Sequence, residues 1–450
     1  MRKILLFVLA TGMLEVSNAQ SVLESYIQEG LASNQQVQGR ILDFDKSILV
    51  LSEARSLFFP RVSVETDYFL AGGGRTVDFP AGDLLNPIYG TLNQLTESQT
   101  FPMLDNQRIL LNPNNFYDVR LRTALPIFQA ELLYHKRIQS DLADFAAFEL
   151  LIYKRELVKE IKIAYYNYLK TVEAVRIIQT ALQLAEESKR INEALFKNEM
   201  VNNTIVVRAS HEVIRFQNEL EAAFQQSDNA NVYFNFLLNR DLNEQILETQ
   251  QTLPFHETLI DHNSFLQREE LQQLIVSATV DKHKLDLSRA YLLPQISAFM
   301  DLGSQGFDWE YNNQTRYYFF GLSTRWNIFS GGQNRIQVQK AKVDQAKTAL
   351  VIDQVSKQLN MALIVSQNNF KASYSQYLGN VSQAKSAKRT YEDSRKLYAS
   401  GQILFIELLD AQNQFITAQL QENISLFDCH INIAEIERAS ASFNLNTQGL

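Results

Sequence analysis

The sequence predicts a mainly α-helical chain with a β-barrel part, built as two copies of one elongated unit of paired strands and a long helical hairpin. Three observations carry this. Two stretches, 127–253 and 295–450, contain no proline. The runs into them read as copies: Ser56-Leu57-Phe58-Phe59-Pro60 opens one alternating segment and Ala290-Tyr291-Leu292-Leu293-Pro294 opens another. Each copy then passes through a second alternating segment ending in an Ile-Phe pair, Ile127-Phe128 and Ile328-Phe329, before a long helical pattern begins. Phe128 to Leu195 spans 67 residues and Phe329 to Leu397 spans 68, so the copies keep register along their helices. Pro60 to Phe128 is 68 residues but Pro294 to Phe329 only 35, which confines insertion to the strand region.

The first element is processed rather than folded. Arg2-Lys3, an apolar run from Ile4 to Leu14 and the small-residue exit Ser17-Asn18-Ala19 fit a secretory signal peptide over 1–19, cut before Gln20. No cysteine follows the apolar run to take a lipid anchor. Removing Arg2, Lys3 and Glu15 changes the net charge from −8 to −9, and an acidic balance argues against a nucleic-acid partner. Past the signal, no window approaches the 18 or more apolar residues that a spanning helix needs, so any membrane crossing must use strands. Cys429 is the single cysteine; it excludes an intrachain disulfide and reads as packed core.

The first repeat takes 20–238. A helix over 22–57 leads to strands over 60–70 and 116–127, followed by helices over 129–197 and 204–238. After a connector at 239–263 holding Pro254, the second repeat, 264–443, follows the same plan. Its helices cover 264–292, 331–398 and 404–442, its strands 294–302 and 316–328, and a tail over 444–450 closes the chain. In the strands, Val62, Val64, Thr66, Tyr68 and Leu70 alternate with polar or charged residues, and so do Tyr117, Val119, Leu121 and Thr123. In the second copy Ile296, Ala298, Met300 and Leu302, and then Tyr318, Phe320, Leu322, Thr324 and Trp326, repeat the pattern. Apolar outside and polar inside, with aromatics near the ends, is the pattern of an outer-membrane barrel wall, although a half-buried soluble sheet alternates in the same way. Four strands cannot close such a barrel, whose lower limit is about eight, and an open edge in lipid would leave backbone groups unpaired. Several chains must therefore share one barrel. The segment 71–115, with Gly72-Gly73-Gly74 and prolines at 80, 87, 102 and 113, reads as a long exposed loop, and its counterpart Gly303–Thr315 is short.

The long helices show heptad seams. From Ala143 through Leu150, Leu157, Ile161, Ala164, Val175 and Ile178 to Ala185, steps of three and four stay apolar except at Lys154 and Thr171. A second stripe, including Val158, Tyr165 and Leu169, runs beside it, so this helix has two neighbours. In the second copy Val338, Ala341, Ile352, Val355, Leu359 and Ala362 share one frame, and Val343, Ala346 and Leu350 begin a stripe on another side. At about 1.5 Å per residue, such a helix is a rod of roughly 100 Å. Each rod ends at a break, Asn198-Glu199-Met200-Val201-Asn202-Asn203 in one copy and Ala399-Ser400-Gly401-Gln402-Ile403 in the other, and Gly401 suits a position with positive φ.

Catalytic chemistry has no footing in this pattern. Six scattered histidines include His256 and His262 with Glu257, at the wrong spacing for a two-histidine zinc helix. Gly72-Gly73-Gly74-Arg75-Thr76 lacks the Gly-Lys-Ser/Thr of a phosphate loop. Glu186-Glu187 and Glu269-Glu270 read as solvated helix faces rather than acid-base pairs. No catalytic residue, cofactor or metal is expected, and the chain does not read as an enzyme.

Two repeats of strand, strand, long helix, tight turn and returning helix behind a signal peptide resemble the outer membrane efflux protein family, the TolC-like channels. The most specific local match is Tyr398-Ala399-Ser400-Gly401-Gln402-Ile403-Leu404-Phe405-Ile406-Glu407-Leu408-Leu409-Asp410-Ala411-Gln412, similar to the family's glycine turn and the acidic segment after it. The resemblance implies a homotrimer with a shared twelve-stranded barrel in outer-membrane lipid and a helical tunnel crossing the periplasm of a Gram-negative bacterium. It implies a passive exit duct for small molecules, drugs and toxic compounds among them. These are driven by an inner-membrane pump, of RND type or alternatively ABC, through a periplasmic adaptor protein. It implies a gate whose acidic ring is Glu407 and Asp410, and adaptor contact at the tip turns, Asn198, Glu199, Met200 and Val201 with Ser400, Gly401, Gln402 and Ile403. A salt bridge from Asp410 to Arg208 is a further expectation. The first copy departs from the pattern, with Asn198-Glu199 in place of the glycine and Ile205 and Arg208 where the second has Glu407 and Asp410. Two rival readings stand beside the efflux duct: the outer-membrane duct of a type I protein secretion system, and a structural coiled-coil rod of the envelope.

Overall fold

The structure, a computed structural model, describes residues 22–112, 114–248 and 264–445. The signal peptide, Pro113, the connector from 249 to 263 with Pro254, His256, Glu257 and His262, and the tail from 446 lie outside the described residues. The chain divides into two compact units, one holding Val50–Ile138 and His283–Ala341, the other the remainder. No helix among the described residues is long and apolar enough to cross a membrane.

The first of these units is built on a four-stranded antiparallel sheet. Its strands are β1 (Arg61–Phe69), β4 (Phe116–Phe128), β5 (Gln295–Phe307) and β6 (Arg316–Arg325), in the order β1-β4-β5-β6. The two copies thus meet at the β4–β5 pairing, and β1 and β6 are left as edges. β5 runs five residues past the expected end at Leu302, which shortens the connection to β6. Alternation puts Val64, Leu121, Leu302 and Tyr318 in one row of one face, and Glu65, Arg120 and Tyr317 with Gly303 in one row of the other. The apolar face is open, with Val64 71% and Phe320 69% exposed.

The segment 71–115 is not the plain loop that its prolines suggested. It holds β2 (Thr76–Phe79) paired antiparallel with β3 (Gln107–Leu110), and between them α3 (Ala81–Leu95), which tolerates Pro87 inside it. Asparagine side chains hold the returning chain on this helix. Asn86 donates to the Leu104 carbonyl at 2.9 Å and accepts from the Leu104 N–H at 2.8 Å, while Asn93 makes the same two-way clamp on Phe101. These bonds substitute for backbone pairing where none is available, which is why composition alone read as loop. Gly82 lies so close to the Leu104 carbonyl that a Cβ there would come within 2.3 Å of its oxygen.

Most helical residues belong to the second unit, and the helix expected over 22–57 is two: α1 over 22–33 and α2 (Gln35–Ser56). Asn34 makes the break. Its Oδ1 accepts from the N–H groups of Gln36 at 2.9 Å and Val37 at 3.2 Å, an N-cap for α2, and its Nδ2 donates to the Leu237 carbonyl at 2.9 Å. The remaining helices are α4 (Ala130–Lys197), α5 (Asn203–Leu238), α6 (Glu269–Arg289), α7 (Gln333–Ala399) and α8 (Phe405–Ser440). Duplication shows in their lengths: α4 and α7 have 68 and 67 residues, and α5 and α8 have 36 each. Both returning helices also end on a residue with positive φ, Asn239 and Ala441.

The α4 seam is core. Leu150, Leu157 and Ile161 are buried, and Tyr165 of the neighbouring stripe packs with Tyr26 and Phe234 in a three-ring cluster at centroid distances of 5.2 to 6.0 Å. Each such side chain contributes about 1.5–3 kcal/mol by burial. In α7 the seam drifts. Leu359 is buried but Ala362 is exposed, and the buried positions continue at Leu363 and Ser366. A straight helix of 3.6 residues per turn slips against a strict heptad, so an apolar frame continued by counting leaves the packed face. Val343 and Leu350, the stripe on the other side of α7, are exposed. Cys429 is fully buried, and burial pushes its thiol up.

Candidate functional site

The two hairpin turns lie at the ends of α4 and α7 and have one geometry. In the first, Glu199 N–H donates to Phe196 O and Met200 N–H to Leu195 O, both at 2.9 Å. In the second, Gly401 N–H donates to Tyr398 O and Gln402 N–H to Leu397 O, again both at 2.9 Å. This nested pair of bonds is the Schellman closure, which needs a left-handed residue at its fifth position. Gly401 supplies it at φ +71° and Glu199 at φ +61°. The sequence asymmetry between the turns is therefore one of strain and charge, not of backbone path.

Beneath the turns a small core joins both hairpins. Ala209 and Ile205 of α5, Tyr391 and Tyr398 of α7, and Phe405, Leu408 and Phe415 of α8 pack together, with Tyr391 and Phe415 stacked at 5.7 Å. Two polar contacts tie the same elements. The Tyr398 hydroxyl donates to Asn192 Oδ1 of α4 at 2.5 Å, and Asn192 is fully buried with its Nδ2 donating to the Ser188 carbonyl. Arg215 of α5 donates to Asn413 Oδ1 of α8 at 2.7 Å while pairing with Glu212 and Glu219 on its own helix. A groove of about 950 Å³ opens between the tips, lined among others by Leu184, Ile191, Met200 and Val201 from the first hairpin and Tyr398, Gly401, Ile403 and Leu404 from the second.

Glu407 and Asp410 share one exposed face of α8, opposite the buried Phe405, Leu408 and Phe415. They line a shallow depression of about 290 Å³ with Thr390 and Ser394 of α7 and Gln414. Asp410 Oδ2 accepts from Gln414 Nε2 at 2.8 Å. Within one chain Asp410 is not paired with Arg208, which is exposed on α5. Asn198, Ser400 and Gln402 sit in the turns themselves.

Two charge clusters were not legible from spacing. Glu269 and Glu270 are not a solvated face: Glu269 is buried against Arg155, whose Nε donates to it at 2.8 Å and whose second nitrogen donates to the Phe443 carbonyl at 2.8 Å. Glu270 takes hydrogen bonds from Arg268, at 2.6 Å, and from Arg438, which also donates to Glu156 at 2.9 Å. Burial pushes the Glu270 carboxyl up, but the two guanidinium groups outweigh it and hold it at about 2. This network joins α4, α6 and α8. Glu186 and Glu187 are exposed as expected, Glu187 pairing with Arg190. The second cluster is on the sheet, where Arg120 pairs with Glu65 at 2.8 Å, Asp118 at 2.6 Å and Asp67 at 3.4 Å, and Arg122 pairs with Glu65 and Asp301. Its partners come from three strands, so only the register brings them together.

Residues 262–439, the second copy, match the family model described as Outer membrane efflux protein. No curated protein sequence matches the chain. Among solved structures, the chain is similar to CusC, with 14% identity over 93% of this chain and 92% of that one and a TM-score of 0.77. It is also similar to the CmeC outer membrane channel of Campylobacter jejuni, with 16% identity over 93% and 85% and a TM-score of 0.74. The open state of the MtrE outer membrane channel of Neisseria gonorrhoeae matches at 15% identity over 93% and 88%, also with a TM-score of 0.74. At such identities the likeness is one of fold, and the fold is TolC-like.

Proposed function

We propose, from the outer membrane efflux protein repeat over 262–439 carried on a TolC-like fold, that this protein is the outer-membrane duct of a tripartite efflux system. The observation that carries the reading is the sheet of four strands with an open apolar face and two unpaired edges, β1 and β6. In lipid an unpaired edge costs several kcal/mol per backbone group, so the sheet must be completed by other copies. Three copies would supply twelve strands. The apolar face would then meet lipid, and the face holding Arg120, Arg122 and their carboxylates would line the lumen, because ion-paired residues are expensive against hydrocarbon.

The helical part would form the periplasmic portion. Its tips would meet the adaptor at Asn198, Glu199, Met200 and Val201 and at Ser400, Gly401, Gln402 and Ile403, with the apolar groove between the turns as the contact surface. The exposed face of α8 would bring Glu407 and Asp410 of three copies into one ring at the entrance, and Arg208 would be available to pair with a neighbouring copy. Transport energy would come from a separate inner-membrane pump, of RND type or alternatively ABC, since this chain carries no legible nucleotide-binding element of its own.

Purified protein reconstituted in a planar bilayer tests this. We expect small cation-selective currents from a trimer, with the selectivity reduced by Glu407→Gln and Asp410→Asn together. Failure of the protein to insert would favour the structural rod, and unchanged selectivity in the double variant would remove the acidic ring.

A further inference from the structure

Three phenyl rings on the charged face of the sheet have no part in its ion pairs. Phe69, Phe116 and Phe307 lie directly opposite one another on β1, β4 and β5, forming one row across the sheet. Their ring centroids are 6.4 and 5.2 Å apart, and Phe69 and Phe307 are 46% and 56% exposed. The row stands at the strand ends that carry the connections 70–115 and 308–315, not at the ends that continue into α2 and α4. Contiguous exposed apolar surface, unlike scattered single residues, marks a site of interaction.

The next row on the same face, two residues along each strand and therefore roughly 7 Å away, is Asp67, Asp118 and Gln305. Asp67 and Asp118 face each other, and one guanidinium, that of Arg120, serves both of them and Glu65. Arg122 serves Glu65 and Asp301. Within two rows of the rings, three carboxylates, Glu65, Asp67 and Asp118, stand against the one guanidinium of Arg120, a local surplus of two negative charges.

We propose that this pair of rows is a binding site for organic cations with an aromatic or bulky apolar body, the body lying on the phenyl rings and the charge against Asp67, whose side chain is 46% exposed. Asp118 is buried and accepts from Arg120 and the Tyr317 hydroxyl. Aromatic faces attract cations as well as apolar surface, so rings and carboxylates act on one ligand in the same sense. The assignment rests on the duct reading only in taking this face as the lumen; there it makes the outer end of the duct selective for amphipathic cationic cargo.

The test is equilibrium dialysis of the full-length protein in lipid nanodiscs, with tetraphenylphosphonium as probe and tetraethylammonium as a cation of the same charge without rings. Wild type is expected to bind tetraphenylphosphonium saturably. Phe69→Ser combined with Phe307→Ser should weaken that binding at least tenfold, and so should Asp67→Asn alone, while tetraethylammonium binds weakly throughout. Unchanged affinity in Asp67→Asn, or equal binding of both probes by wild type, overturns the site. All three replaced side chains are exposed, and Asp67→Asn keeps shape and volume, so it decides the matter if the phenyl variant does not fold. Binding is read without any current, so failure of the duct reading shows separately as a wild type that binds the probe but never conducts.

Discussion

Glu199 occupies a left-handed backbone position that its counterpart fills with Gly401. A side chain there costs about 1–2 kcal/mol relative to glycine in the folded state, of which the greater freedom of an unfolded glycine returns about half. Glu199→Gly is thus expected to stabilise the protein by about 0.5–1 kcal/mol, read as a higher urea midpoint; a lower midpoint would mean that the Glu199 carboxylate makes a compensating contact. Gly401→Ala should cost about 1 kcal/mol from backbone strain alone, because a Cβ at Gly401 meets nothing within 4 Å. At this scale the sequence was informative on the second turn, where glycine announces positive φ, and misleading on the first, where nothing in Asn198-Glu199 announces the same closure. His430 gives a second residue-level expectation. It is buried against the Tyr166 ring at 4.8 Å, and burial pushes its imidazole down to about 4. The folded state therefore resists the proton that the unfolded state accepts near its usual 6.5, so this contribution is complete above about 6.5 and is lost as pH falls towards 4. His430→Gln should flatten the stability profile between those values, and an unaltered slope would show that His430 is not its source.

Among elements, those governed by local periodicity were legible and those held by distant partners were not. The α4 seam from Ala143 to Ala185 could be counted because every position depends on residues three or four away. Glu269 and Glu270 could not be placed, since Arg155 and Arg438 stand 114 and 168 residues from them. The helix α3 was hidden for a related reason: Pro87 argued for a break, and the Asn86 and Asn93 clamps that hold the return chain exist only once the segment has folded. The network joining α4, α6 and α8 makes its own prediction. Glu269→Gln leaves Arg155 buried with neutral carbonyl acceptors only, the new amide and Phe443, and no counter-charge, so it should cost about 3 kcal/mol, in the range for one charge taken from a buried pair. Chemical denaturation of the helical part is the measurement. A cost under about 1 kcal/mol would mean that the pair is solvated in the assembled protein.

For the whole molecule, the apolar surface left over within one chain is where copies would meet in the proposed trimer. On α7, Val343, Leu350, Ile364 and Leu378 follow one another at seven or fourteen residues, and Leu350 is 72% exposed. In the proposed trimer such a stripe, exposed within one chain, would form a second seam against a neighbouring copy. Burying one leucine fully contributes about 2 kcal/mol, and three equivalent interfaces make that roughly 6 kcal/mol per trimer. Leu350→Asp should therefore leave the folded chain intact, with helical content unchanged by circular dichroism, yet convert a trimer into monomers when mass is measured by light scattering. A trimer that survives Leu350→Asp would place the contact between copies on the sheet edges alone and leave the exposed stripe of α7 to a different partner.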